Sequence, residues 1–376
     1  MKKTIVTTAV LAGATLGHAA SAGQAVSIGF AGPLTGANAQ IGKDAENGAR
    51  LAIEEANAAG IRIHGQPVEF QLLAEDDAAD PRMAVTVAQK LVDAGVVGMV
   101  GHVNSGATLP ASRIYANAGI PQISPAATNP DFTRQGFPTA FRVIGDDSYV
   151  GRVLGQYMAR ETKIRRLAVI DDRTAYGQGL ADVVVESFKA NGGTVVDREY
   201  VTANTTDFRG VLTKAKSSQA DAIFYGGVDA QGGPLRKQMT SLAMTMPLIG
   251  SGLETDKFLE LAGGANGTDG TLSAEPGEPL DDVPGGNAFK SRFSKYGKVV
   301  LFAPFSYDAA WALINAMKRA DSTVPAVYLP QLRKVDFAGV TGRIAFDAKG
   351  DLLSAPVTLY QAKSGHFAPI GTTTLK

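Results

Sequence analysis

Cysteine is absent from the 376 residues, which excludes a disulfide framework and a thiol nucleophile and leaves no cysteine to carry a lipid anchor. Net charge is absent too. The 36 basic side chains balance 36 acidic ones, so nothing in the charge points to nucleic acid or to an anionic membrane surface as partner. Histidine is scarce, at four. His18 falls in an amino-terminal leader, and His64, His102 and His366 stand apart with no partner at metal-ligand spacing, so no metal is expected; His102 reads as a turn or packing residue. No Gly-x-Ser-x-Gly elbow or Walker-type loop occurs, and the pairs Gly177/Gly179 and Gly250/Gly252 lack the third glycine of a dinucleotide fingerprint. Nucleophile with base, metal cluster and phosphate cradle are all missing, so the chain reads as a binding protein without cofactor and not as an enzyme. An exported α/β enzyme is the disfavoured alternative.

Long apolar runs are also missing beyond the first residues, and nothing after them approaches the length that spans a bilayer. Met1-Lys2-Lys3, the apolar stretch 5–16 and the triplet Ala20-Ser21-Ala22 have the three regions of a secretory signal, so residues 1–22 are expected to be a signal peptide and the mature chain to begin near Gly23. With no cysteine to lipidate, the expected location is the periplasm, secretion to the outside being the other route open to the same signal.

What is present is a body 45% hydrophobic and 19% charged, large enough for two domains. Strand-like stretches at 26–30, 68–74 and 96–100 alternate with helix-like ones at 43–59 and 81–94. The alternation resumes after Arg142, with helices expected over 149–161, 180–191, 207–217 and 234–243 and strands at 167–170, 194–201, 222–225 and 248–249. This is the pattern of parallel, doubly wound sheets, and two series imply two α/β lobes. The Gly-, Pro- and acid-rich stretch 269–286 breaks the pattern and reads as a passage between lobes or across a cleft mouth. A long helix over 307–320 follows. The tail reads as alternating strands at 342–346 and 357–360 around the turn Asp347-Ala348-Lys349-Gly350-Asp351, where a hairpin turn accounts for the Asp and Gly residues better than a calcium loop does.

Two segments carry the candidate chemistry. Gly101-His102-Val103-Asn104-Ser105-Gly106 and Ile123-Ser124-Pro125-Ala126-Ala127-Thr128 each put small polar residues where an apolar strand ends. Ser105 falls at a helix N-terminus, where unpaired N–H groups and a hydroxyl can hold a carboxylate without net protein charge. Ala126 and Thr128 present amides and a hydroxyl to the same point if the two strands are neighbours, since ligands of such sheets lie beyond the carboxyl ends of the strands. Tyr176, Asp229 and Ser251 fall at strand ends of the second series, on the edge that would face them, and Asp147 opens that series. As ordinary turns and N-caps these residues need no ligand, and each segment alone reads equally well that way.

The order and spacing of Ala31-Gly32-Pro33-Leu34-Thr35-Gly36, Asp76-Asp77 with Asp80-Pro81, Gly101-His102 with Ser105, Pro110-Ala111-Ser112 with Ile114-Tyr115, Ser124-Pro125-Ala126-Ala127-Thr128, Tyr176-Gly177-Gln178-Gly179-Leu180 and Tyr225-Gly226-Gly227 resemble the periplasmic leucine/isoleucine/valine-binding proteins over nearly the whole mature chain. These are type I solute-binding proteins of ABC transporters, a fold shared with amide receptors and with ligand-binding domains of some neural receptors. The resemblance implies two doubly wound, Rossmann-like lobes joined by three crossovers and closing on a hinge. The first lobe is then 23–146 plus 276–356 and the second 147–275 plus 357–376. It further implies a monomer that presents its closed form to an inner-membrane ABC permease, a sensing role for the closed form being the other possibility.

In that family the ligand carboxylate is held by the residues matching Ser105, Ala126 and Thr128, with Ala127 in the same segment, and the residue matching Tyr176 reaches over from the second lobe. Ile41 and Val228 stand where the family has pocket tyrosines, which reshapes the side-chain pocket with aliphatic walls. The acid that pairs with the ligand ammonium falls at Ser251 or Gly252, neither of which is an acid. A desolvated ammonium without a partner costs several kcal/mol. An amino-acid ligand therefore requires a replacement acid, with Asp229 and Glu254 as candidates. The expected ligand is a branched-chain amino acid or a related small carboxylate; an aromatic or branched carboxylate without an α-amine, or an amide, is the alternative.

Overall fold

The computed structural model describes residues 24–375, so the leader expected over 1–22 lies outside the described residues. The first sheet is built from β1 (Gln24–Gly32), β2 (Arg62–Ile63), β3 (Gln66–Asp76), β4 (Gly98–Gly101), β5 (Gln122–Ser124) and β6 (Ala140–Arg142), with α1 (Ala39–Ala58), α2 (Pro81–Asp93), α3 (Ser105–Asn117) and α4 (Asp131–Arg134) in its connections. Its order is β2-β3-β1-β4-β5-β6, parallel except for the small ribbon that β2 makes with β3. The winding reverses between β1 and β4, and that switch point opens a crevice beyond their carboxyl ends. Val100 lies opposite Ile123 in the β4–β5 pair, so the segments that follow these two strands leave the sheet side by side.

The second series begins with α5 (Asp147–Glu161), β7 (Arg166–Asp171), α6 (Ala175–Ala190), β8 (Thr194–Tyr200), α7 (Arg209–Ser217), β9 (Ala222–Gly226), α8 (Asp229–Ser241) and β10 (Leu248–Gly250). After the short α9 (Asp256–Leu261) and α10 (Ala265–Thr268) comes β11 (Leu272–Pro276). The stretch 269–286 is thus no simple passage. Its first part is a buried strand paired with β10, and only the residues after Pro276 leave the sheet. Then α11 (Gly286–Phe293), α12 (Ala303–Ala320), α13 (Pro325–Leu332) and the ribbon β12 (Asp336–Gly339) with β13 (Gly342–Ala345) return to the first sheet's side. The chain ends in β14 (Ala355–Lys363) and β15 (His366–Leu375), antiparallel additions that complete the order β15-β14-β11-β10-β9-β7-β8. The expected strands at 342–346 and 357–360 therefore do not pair as a hairpin. One joins β12 and the other joins β11 and β15, leaving a single bridge, Phe346 to Leu352, across the turn between them. Alternation identifies a strand but not its partner.

Each sheet is covered on both faces, and side-chain alternation assigns the covers. In β7, Leu167 and Val169 pack toward α5 and α6, while Ala168 and Ile170 pack with α7 and α8. In the first sheet, Val26, Ile28 and Phe30 face α1 and α12, whereas Ala31 and Met99 face α2 and α3. Local chemistry sets several helix starts: Asp80 caps α2 by accepting from the N–H groups of Arg82 and Met83, both at 2.8 Å, with Pro81 at the first helical position. Thr174 caps α6 through the Gly177 N–H at 2.9 Å, which starts that helix earlier than the expected residue 180.

Candidate ligand-binding cleft

The carboxyl ends of both sheets face one cavity with an empty space of about 610 Å³. Its first-sheet wall includes Asn104 and Ser105 at the start of α3 and Ala126 and Thr128 after β5. The opposite wall includes Tyr176 in the first turn of α6, Val228 and Asp229 at the start of α8, Ser251 and Gly252 after β10, and Glu275 near the end of β11. Ile41, Val103, Ile144, Leu301 and Phe302 supply apolar surface between the two.

The structure thus brings together Ser105, Ala126, Thr128, Tyr176, Ile41, Val228, Asp229 and Ser251. Ala127 is not part of the lining. Its N–H donates to Ser124 Oγ at 2.9 Å and its carbonyl accepts from Arg142 at 2.8 Å, so both backbone groups are turned to the support of the loop. Tyr176 lines the cavity, but its hydroxyl donates to the Ser251 carbonyl at 3.0 Å and so bonds within the second sheet's own loops. Glu254 lies outside this cavity in a wider adjoining space, where burial pushes its carboxyl up to about 8. Asp147 sits behind the lining, its N–H donating to the Thr128 carbonyl at 2.8 Å; burial pushes its carboxyl up to about 7.

On the first-sheet wall, Thr128 Oγ1 and Asn104 Oδ1 are buried without hydrogen-bond partners, and Asn104 makes no side-chain cap to the helix it precedes. The opening N–H groups of a helix have no partner within it. Among the described residues no Lys, Arg or His lines the cavity. Any negative charge held here is held by neutral donors and a helix end, an arrangement suited to a carboxylate.

Buried polar side chains brace this wall from behind. Arg142, wholly buried, donates to the carbonyls of Ala127 and Asn129 and pairs with Asp351 at 2.6 Å, so the turn at 347–351 anchors the 124–130 loop. In that turn the Asp347 carboxylate caps the N–H groups of Lys349, Gly350 and Asp351, which is a turn's use of Asp. His102 is a packing residue, as its sequence context implies: Nδ1 meets Asp77 at 2.6 Å and Nε2 meets the Tyr115 hydroxyl at 3.1 Å, while its carbonyl accepts from Thr108 and Ser124.

A model of the periplasmic binding protein family matches residues 25–366. The chain belongs to that family. Among periplasmic binding proteins it is 34% identical over 367 residues to Leu/Ile/Val-binding protein homolog 1 of Brucella abortus (strain 2308), covering 97% of each chain. It is 36% identical over 343 residues to the amino acid binding protein of Pseudomonas aeruginosa, covering 89% of this chain and 90% of that one. Among solved structures, the branched-chain amino acid transporter substrate binding protein LivJ from Streptococcus pneumoniae, in complex with isoleucine, superposes with a TM-score of 0.83 at 27% identity over 94% of this chain and all of that one. The fold is the type I periplasmic binding protein fold, and the family is one of solute receptors, not of enzymes.

Several cleft residues of this periplasmic binding protein carry no signal in the sequence. Leu301 and Phe302 reach the cavity because Asp44, buried in α1, accepts from the N–H groups of Val300, Leu301, Phe302 and Ala303 at 2.7–3.0 Å and fixes the start of α12. Glu275 lies within a stretch whose glycines, prolines and acids read as a loop. Gly250 pairs with Ser273, and residues two apart on a strand share a face, so Ser273 and Glu275 both meet the loop after β10. The Glu275 carboxylate accepts from the N–H groups of Gly252, Leu253 and Glu254 and from the Ser273 hydroxyl. Burial nevertheless pushes it up to about 7 against those hydrogen bonds.

Proposed function

We propose that this periplasmic binding protein captures a branched-chain amino acid, or a closely related small carboxylate, and delivers it to an inner-membrane ABC permease. The observation that carries the reading is the pairing, in one cavity, of neutral donors, the opening N–H groups of α3 with the Ser105 and Thr128 hydroxyls, with an aliphatic lining from Ile41, Val103, Val228 and Leu301. Ser105, Thr128 and the backbone at Ala126 hold the carboxylate; the aliphatic residues surround a branched side chain. The relatives named Leu/Ile/Val-binding protein and the isoleucine-bound relative support the same ligand class. The lobes are 23–146 plus 276–356 and 147–275 plus 357–376, and the chain works as a soluble, non-lipidated monomer exported by the leader over 1–22. The chain passes between the sheets after β6, after β11 and before β14, and closure about these passages sequesters the ligand.

Calorimetric titration against leucine, isoleucine, valine, phenylalanine, benzoate and short amides tests this. Saturable binding of branched-chain amino acids is the expected outcome, and binding of amides alone would refute it. The absence of an acid at Ser251 and Gly252 favours a second reading, a carboxylate without an α-amine, which the same titration detects as preference for benzoate-type acids.

A further inference from the structure

We infer that Glu275, reaching the cleft from β11, is the residue that reads the ligand's ammonium group and thereby restricts the site to α-amino acids. The inference rests on the ligand class proposed above. Glu275 is 97% buried, since only 3% of its surface is exposed, and it lines a cavity that holds no Lys, Arg or His among the described residues. Its two oxygens are unequally used. Oε1 accepts from Gly252, Leu253, Glu254 and Ser273, whereas Oε2 accepts only from the Gly252 N–H, at 3.0 Å. The carboxylate is therefore fixed in place with acceptor capacity left over and no counter-ion. A buried carboxylate in that state is satisfied by a cation.

Asp229, the other carboxylate in the lining, is raised by its burial but already has partners of its own. It sits in the first turn of α8, where the helix end favours a negative charge, accepts from the Thr255 hydroxyl at 2.8 Å, and feels the charge of Lys257. Across the cavity, the start of α3 and Thr128 present donors and no acid. One wall thus suits an anion and the other a cation. A zwitterion fits both, and the acid-free loop Ser251-Gly252 is served by a carboxylate from the adjoining strand that bonds to that same loop.

The test compares leucine with 4-methylpentanoate, its analogue without the amine, on the wild-type protein and on Glu275→Gln, Asp229→Asn and Glu275→Asp, each first checked for a cooperative melt. The wild type is expected to prefer leucine, and Glu275→Gln to lower leucine affinity by about 10–100-fold while leaving 4-methylpentanoate within a few-fold. Asp229→Asn should keep the preference. If Glu275→Gln does not melt cooperatively, Glu275→Asp, which keeps the charge but withdraws it, should reduce the preference in the same direction. Equal effects on the two ligands, or loss of the preference in Asp229→Asn instead, would overturn the assignment while leaving the carboxylate reading intact. Failure of the wild type to bind either compound would overturn that reading and the assignment with it.

Discussion

Among single residues, Ser105 and Thr128 bring to the cleft hydroxyls that are poorly satisfied within the protein. Thr128 Oγ1 is buried with no well-formed hydrogen bond, the Asp147 carboxyl being its one neighbouring acceptor, and Ser105 Oγ accepts only a long bond of 3.3 Å from the Asn129 N–H, so both hydroxyls can turn to donate to a carboxylate. Thr128→Val and Ser105→Ala should each lower ligand affinity by about 1.5–3 kcal/mol without a comparable change in melting temperature, as measured by calorimetry and thermal denaturation. Arg142 behaves oppositely. Arg142→Met leaves carbonyls of the 127–129 loop and Asp351 without their partner, and should cost on the order of 3–5 kcal/mol of stability in denaturant unfolding. The place of Ser105, Ala126 and Thr128 in the cleft lining was legible in the sequence because they lie immediately after strands, where motif and position coincide. Asp44 and Glu275 were not, because what makes each functional is a partner brought in by tertiary structure: the start of α12 for Asp44 and the loop after β10 for Glu275.

At the scale of elements, the doubly wound alternation was legible because its strands are apolar runs between helical patterns, and helix α3 starts at Ser105 as its sequence implies. The strand β11 was hidden by its neighbours: Leu-Ser-Ala-Glu-Pro offers little β-propensity, and burial between β10 and β14 overrides it. The early start of α6 also has a packing cause. Gly177, in the first turn of α6, presses against the end of β9, where a Cβ would meet the Gly226 carbonyl oxygen at 2.3 Å. Gly177→Ala should therefore push α6 away from the end of β9, costing about 1–3 kcal/mol of stability and weakening ligand binding through Tyr176, an effect that parallel melting and binding measurements would show.

At the scale of the whole molecule, contacts across the cleft hold the two bodies together. Asn129 Nδ2 donates to the Ala175 carbonyl at 2.6 Å, Lys298 pairs with Asp256 at 2.6 Å, and Lys257 donates to the Ala37 carbonyl. The last two are exposed, so Lys257→Ala with Asp256→Asn should weaken apparent affinity by no more than about tenfold while speeding ligand release, measured by stopped-flow dissociation. Buried carboxyls give a pH dependence of definite sign. Glu275 and Asp147 are raised to about 7 and Asp308 to about 6, all by burial, so the folded protein keeps protons that the unfolded chain has lost. The contribution of these three groups to stability is greatest below the ordinary carboxylate range and falls as pH rises through these values; between about pH 5 and pH 8, where the lowered surface carboxylates such as Asp76 and Asp207 no longer titrate, the melting temperature of the ligand-free protein should decline. In the proposed function, one cleft takes a small branched amino acid by its carboxylate, its ammonium and its aliphatic side chain. Titration of the purified mature protein with leucine tests it most directly: saturable one-to-one binding that is lost in Thr128→Val is the predicted result, and binding that is absent, or unaltered by that substitution, would contradict it.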